Sequence, residues 1–145
     1  AAEAYWRSLL HRDGLSPSKA AEILDSLSCL SIYYGRSDLL PEAERWIGEA
    51  INHVPQAITL KGTKGSILVE LGRIDEAIPL LREVLKRSEW AIDHAVSAAY
   101  LAKAYAAKGN LQTAKDFLTQ AQNTNGDHIV VRRIMRDLSA ETTVT

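Results

Sequence analysis

The stretch that decides the fold runs from residue 65 to residue 84 and reads GSILVELGRIDEAIPLLREV. A second stretch, from residue 102 to residue 121, reads AKAYAAKGNLQTAKDFLTQA and follows the same pattern. Each begins with a small residue, has glycine seven residues on and alanine twelve on, and then places apolar or small residues at three- and four-residue spacing. That spacing makes one apolar face on an α-helix, and a glycine just past such a face ends it. Each stretch therefore predicts two helices joined by a tight turn.

The same signals divide the rest of the chain. Gly14 and Gly35 separate further amphipathic segments, and Ser16 followed by Pro17 is a typical helix start. No stretch alternates apolar and polar residues as a half-buried β-strand does. Because the predicted turns are only a few residues long, consecutive helices must run antiparallel. The sequence predicts an all-α fold built of antiparallel helix hairpins.

The hairpins repeat at a nearly fixed period. Ala43, Ala77 and Ala114 occupy matching positions in their second helices and are spaced 34 and 37 residues apart. A period of this size predicts hairpins stacked side by side into one array. The first copy is divergent, because Gly35 and Ala43 are eight residues apart where the other copies keep five. The longer second step predicts about three extra residues near positions 88–93, as an added helical turn that carries Trp90.

The two stretches resemble repeats of the tetratricopeptide repeat family. The resemblance lies in the spacing G65-x2-L68-x3-G72-x4-A77 and A102-x2-Y105-x3-G109-x4-A114. The resemblance covers roughly residues 17–126 and implies a short right-handed superhelix of about seven or eight helices. We expect a single domain over residues 1–145, with terminal helices covering the ends of the stack. Its parts are a capping helix at 2–12, a divergent repeat at 17–55, repeats at 56–91 and 92–126, and a capping helix at 128–140.

Composition excludes several classes of function. The 145 residues carry 17 basic and 18 acidic side chains, and this formal charge of −1 gives no general field for a nucleic acid. Apolar runs reach only five residues, far short of the ~20 that a membrane-spanning helix needs. The first dozen residues do not look like a secretory leader, and the missing initiator methionine suggests a processed or excised piece. The lone cysteine weakly favours a reducing compartment, so we expect a cytoplasmic location.

A search for catalytic or metal chemistry finds little. The four histidines lie far apart without metal-ligand spacing, and residues 61–66 (KGTKGS) lack the spacing of a phosphate-binding loop. Cys29 has no histidine near it in sequence that could activate it as a nucleophile. We therefore expect no enzyme activity, no metal site and no cofactor.

The resemblance implies instead a scaffold that holds a partner's peptide or helix in a concave groove lined by the first helix of each repeat. Matching the family's groove positions to this chain gives a mixed, nearly neutral set. The implied groove residues are Asp25, Cys29, Tyr33, Thr59, Thr63, Ser66, Glu70, Ala99, Tyr100 and Lys103.

One subgroup of the family grips the terminal carboxylate of chaperone tails with lysine, asparagine and arginine side chains. The matching positions here are Asp25, Cys29, Thr63, Val96 and Tyr100, so this clamp is absent. We expect no carboxylate-dependent binding of chaperone tails.

The last predicted helix leaves an alternative open. Its apolar stripe, from Ile129 to Leu138, could cover the end of the stack or pack on a second copy as a self-assembly surface. Arg132, Arg133 and Arg136 are expected on its outer, solvated side, where they could also contact phosphates or an acidic peptide. Among the tryptophans, Trp46 is expected to pack between repeats, whereas Trp90 is equally compatible with an exposed anchor for a partner.

Overall fold

A computed structural model of the chain describes residues 1–142, and within them it contains helices and turns but no strand. This confirms the predicted all-α class. The helices are α1 (Ala2–Leu10), α2 (Pro17–Tyr33), α3 (Leu40–His53), α4 (Ile58–Glu70), α5 (Ile74–Arg87), α6 (Ala91–Ala107), α7 (Leu111–Asn125) and α8 (Ile129–Thr142). A short 3₁₀ turn, Ser37–Leu39, precedes α3.

Glycine turns and capping side chains set the helix boundaries. Gly72 and Gly109 have φ values of +80° and +81°, in the left-handed region that other residues rarely adopt. At the start of α2, the Ser16 hydroxyl accepts a 3.1 Å hydrogen bond from the Lys19 backbone N–H, and Pro17 occupies the first helical position. The predicted hairpin turns and helix start are confirmed.

Small residues let the two helices of a hairpin approach closely. A Cβ atom added to Gly65 would lie 2.8 Å from Leu81 Cγ on the facing helix, so only glycine fits there without a shift. Ser28 and Ala102 occupy the matching positions in the other hairpins and are fully buried. The buried Ser28 hydroxyl is satisfied by donating to the backbone carbonyl of Leu24 at 2.8 Å.

The hairpins stack in two layers. Each first helix packs against its own second helix, in the pairs α2 with α3, α4 with α5 and α6 with α7. The first helices α2, α4 and α6 also contact one another in sequence and form one layer. This arrangement places three successive helices side by side on one face, where the family resemblance implies the groove.

Two irregularities have structural causes. The divergent spacing before Ala43 is taken up by the 3₁₀ turn Ser37–Leu39. The longer step to the last repeat is taken up in α6, which has 17 residues where α4 has 13. The extra turn therefore exists, but Trp90 stands at its N-cap rather than inside it.

The terminal helices cover the two ends differently. At one end, α1 packs on α2, and Arg7 lies 5.0 Å from the Trp46 ring while it also pairs with Glu42 at 2.8 Å. Trp46 is 4% exposed, so it is packed in the core and is not an exposed anchor. At the other end, α8 packs mainly on α6, and it also reaches the distant α2. Among residues 1–142, no helix combines the length and the apolar character needed to cross a membrane.

The position of α8 favours the first of the two alternatives for its apolar stripe, in which the stripe covers the stack. Val130, Val131 and Ile134 are at most 1% exposed and belong to the core of the chain itself. Of the predicted stripe, Ile129 is exposed, and Met135 and Leu138 are half-buried. A second copy cannot use the buried part of this stripe without detaching α8.

Candidate functional site

A narrow cleft runs between α2, α4 and α6, where the groove was predicted. It encloses about 40 Å³ and brings together six of the ten predicted groove residues. These six are Asp25, Cys29, Tyr33, Thr59, Thr63 and Ser66. The other lining residues, which the sequence prediction missed, are Ile32, Gly62, Ile92, Asp93, Val96 and Ser97.

Polar contacts tie the three helices together across this cleft. Asp93 of α6 is held by the hydroxyls of Thr59 and Ser88, each of which donates to its Oδ2 at 2.7 Å. On the α2 side, Cys29 Sγ lies 3.9 Å from both Asp25 Oδ1 and Thr63 Oγ1. Both carboxylates of the cleft are therefore oriented by neighbouring side chains.

Burial changes the protonation of the groups in the cleft. The pKa of Asp25 is raised to about 6, first because burial penalises its charged form and also because Asp93 is nearby, although a hydrogen bond from Thr63 opposes the shift. Burial likewise raises the pKa of the Cys29 thiol well above its usual range. A thiol held in its neutral form is a poor nucleophile, so this shift gives no support to a catalytic role for Cys29.

Two predicted groove residues, Ala99 and Tyr100, are fully buried and do not line the cleft, which corrects the prediction for them. Ser66 lines the cleft but is itself fully buried. Tyr100 lies in α6 where α8 packs, and its burial raises the pKa of its phenol well above the usual value. The sequence offered no sign that the last helix would lie over this position.

The remaining two predicted residues form an ion pair with each other. Lys103 Nζ lies 2.8 Å from Glu70 Oε1, which links α6 to α4. Glu70 keeps 20% and Lys103 36% of its side-chain surface exposed. Their place in a binding surface stays a prediction, and any partner would meet them as a neutralised pair.

Arg133 corrects the prediction that all three arginines of α8 point outward. Its guanidinium donates to the backbone carbonyls of Ile32 and Tyr33, the second at 3.1 Å, and lies 3.3 Å from Tyr100 Oη. The carbonyls at a helix C-terminus lack partners within the helix, and a cation is favoured there by the helix dipole. Arg133 therefore joins α8 to the end of α2 and to α6.

A second, wider cleft lies beside this junction. It encloses about 490 Å³ between the end of α2 and the start of α8. Its lining residues are Tyr33, Tyr34, Gly35, Asp127, Ile129, Arg132, Arg133 and Arg136. Tyr33 lines both clefts, and its ring meets His128 edge-on at 5.1 Å.

Comparison with known families agrees with this architecture. Residues 68–138 match the family model of the tetratricopeptide repeat. This region belongs to the tetratricopeptide repeat family. A search of curated proteins found no match to the chain.

The matched region includes most of the second and all of the third predicted repeat, and it continues into α8. It leaves out the first hairpin, which the sequence marked as divergent. Tetratricopeptide repeats mediate protein–protein interactions and are typically non-catalytic scaffolds. Within residues 1–142, no cluster of three or more histidine, cysteine, aspartate or glutamate side chains is placed to hold a metal ion.

Ile92 and Asp93 are two of the six lining residues that sequence reasoning missed. Both lie in the added first turn of α6 and line the cleft. Ile92 is 50% exposed and Trp90, at the N-cap of the same helix, is 70% exposed. The extra residues near positions 88–93 were the available signal, since an insertion in a repeat often changes its binding face.

Proposed function

We propose that this tetratricopeptide repeat protein is a non-catalytic interaction module that holds a partner's peptide along the cleft between α2, α4 and α6. The observation that supports it most is the half-exposed Ile92 on the lining of that cleft. Burying a large exposed apolar side chain against a partner contributes favourable binding free energy, and such a side chain beside a concave polar surface is typical of an interaction site. Trp90 stands two residues away and offers a second anchor of the kind that dominates binding interfaces.

The partner segment carries a basic side chain. Asp25 and Asp93 both line the cleft, and none of the lining residues that the structure describes is cationic. The repulsion between the two carboxylates adds to the burial that raises the pKa of Asp25, and a lysine or arginine from a partner would offset this shift by favouring the charged form. We therefore expect partner peptides with a basic residue next to an apolar one.

Selection from a library of random displayed peptides tests this function. Peptides selected on the native chain should bind the Ile92→Ala variant at least about tenfold more weakly, since an anchor of this kind contributes on the order of 2 kcal/mol. Leu111→Ala is the matched control, because Leu111 is 54% exposed at the start of α7 and lies outside the cleft.

Circular dichroism should show the same helicity in the native chain and both variants. The proposal fails if no selected peptide depends on Ile92. The prediction of a basic residue in the partner fails if the Ile92-dependent peptides lack lysine and arginine. It also fails if these peptides bind the Asp25→Asn variant as tightly as the native chain.

Self-assembly is the alternative proposal, now centred on a different surface. An apolar cleft of about 420 Å³ lies between α7 and α8 and is lined in part by Leu111, Leu118 and Leu138. Light scattering across a concentration series tests it, and a mass that stays monomeric throughout would exclude it.

We keep a cytoplasmic location as a prediction that rests only on the single thiol, Cys29.

A further inference from the structure

The cleft between the end of α2 and the start of α8 has its own chemistry. Ile129, Arg132, Arg133 and Arg136 follow one another at helical spacing and line it from one side. Tyr33, Tyr34 and Gly35 line it from the other. Three arginines face one carboxylate, Asp127, so the cleft is strongly positive in a chain of nearly zero net charge.

Two of these arginines are available to a ligand. Arg133 is occupied by the carbonyls of Ile32 and Tyr33. Arg132 is exposed, and among the described residues no carboxylate lies within 4.0 Å of its guanidinium. Arg136 is 75% exposed, and within residues 1–142 the one carboxylate within 4.0 Å of it is that of Asp137, at 3.8 Å.

Neighbouring groups compensate this positive field only in part, through Asp127 in the lining and Asp137 beside Arg136. His128 adjoins the cleft, and burial together with Arg133 lowers its pKa, so at neutral pH it is uncharged and does not change the field. The carbonyls at the end of α2 are directed at Arg133 rather than at the other two arginines. An anion entering the cleft would therefore meet two guanidinium groups on adjacent turns of a helix.

The apolar neighbours indicate what else the ligand carries. Tyr34 is 66% and Ile129 48% exposed, and both line the same cleft. Apolar surface beside paired arginines suits a peptide that combines acidic and apolar side chains. A nucleic acid suits it less, because affinity for a polyanion grows with the number of phosphates neutralised and only two arginines are free.

We propose that this cleft binds an extended acidic segment of a partner protein. Side chains one helical turn apart lie about 6 Å from each other, so Arg132 and Arg136 match carboxylates two residues apart on an extended chain, which are about 6.7 Å apart. Apolar side chains of the segment pack on Tyr34 and Ile129. This site is separate from the cleft of α2, α4 and α6 and does not depend on the function proposed for it.

The test uses a short fluorescent peptide of alternating glutamate and leucine, with both ends blocked, and measures its binding by anisotropy. The native chain should bind it, whereas the counterpart with lysine in place of glutamate should not bind. The double variant Arg132→Ala/Arg136→Ala should bind about tenfold more weakly, since two exposed ion pairs together contribute on the order of 1 kcal/mol or more. Raising NaCl from about 0.05 M to about 0.5 M should weaken binding, because exposed charges are screened.

The matched control is Arg12→Ala/Lys86→Ala, which removes the same charge from two exposed residues outside the cleft. It should bind as the native chain does. The proposal is overturned if the peptide does not bind, if the control variant loses as much affinity as the cleft variant, or if a labelled oligothymidine of similar length binds through the same arginines more tightly than the peptide.

Discussion

Arg133 Nη2 lies 3.3 Å from Tyr100 Oη, and this contact connects the last helix to the layer that faces the groove. Tyr100 is fully buried there, so α8 covers part of the surface that the repeat pattern assigns to a partner. The accessible part of the concave face is therefore the end with Asp25, Ile92 and Asp93. A partner that needs the other end would first have to move α8.

Tyr100→Ala should destabilise the fold by about 3–5 kcal/mol, because removing a buried aromatic ring leaves a cavity. Tyr100→Phe should cost only about 0.5–1.5 kcal/mol, since it keeps the ring and loses one hydrogen-bonding group. Urea unfolding of both variants measures the difference. Equal, small losses would show that Tyr100 is not packed beneath α8.

Arg133→Ala should destabilise the chain by about 1–3 kcal/mol, because the carbonyls of Ile32 and Tyr33 lose charge-assisted hydrogen bonds. Arg132→Ala is the matched control on the same helix, and as an exposed substitution it should change stability by no more than about 0.5 kcal/mol. Hydrogen exchange should also speed up in α8 of the Arg133 variant alone. Similar exchange in both variants would contradict the junction.

Gly65→Ala should destabilise the middle hairpin by about 1–3 kcal/mol, since its new methyl would lie 2.8 Å and 2.9 Å from two atoms of Leu81. Gly48→Ala is a control of the same chemistry. Gly48 lies inside α3 with no atom within 4 Å of an added Cβ, so the alanine should stabilise by about 0.5–1 kcal/mol. Thermal melts that shift in the same direction for both variants would refute the close approach at Gly65.

Much of this fold could be predicted from local rules. Gly72 and Gly109 mark turns because their left-handed backbone suits glycine, and Gly65 marks a close helix contact because a side chain would clash with Leu81. These requirements act within one hairpin, so they leave a periodic trace in the sequence. The resemblance to the family, rather than the periodicity itself, implies that α2, α4 and α6 form the layer with the groove.

The arrangement of α8 could not be predicted in the same way. Its apolar stripe predicted a covering helix, but nothing in the stripe specifies which part of the array it covers. Arg133 belongs to a run of arginines that is typical of a solvated face, yet its long side chain reaches carbonyls about a hundred residues away in sequence. Asp93 was missed because its place in the cleft depends on the added turn of α6.

The absent carboxylate clamp also leads to a prediction. Of the clamp positions, Tyr100 is fully buried, and Asp25 would repel a terminal carboxylate once it is ionised. A chaperone-tail peptide should therefore bind no better with a free C-terminus than with an amidated one. Anisotropy with the two forms tests this, and a clear preference for the free carboxylate would show that the groove holds it.

The raised pKa of Asp25 predicts a particular dependence of stability on pH. A carboxyl group whose pKa is about 6 in the folded chain and near 3.8 when unfolded holds its proton more tightly in the fold. Its contribution is therefore fully present below about pH 4 and is lost as pH rises through about 6, by roughly 2–3 kcal/mol. Asp25→Asn removes this titration, so its unfolding free energy relative to the native chain should increase by that amount between about pH 4 and pH 7.

Carboxylates with lowered pKa values, such as Glu76, titrate in both proteins and cancel in the difference. A difference that stays constant across this range would contradict the burial of Asp25, and a carboxyl titration followed by NMR would give its pKa directly.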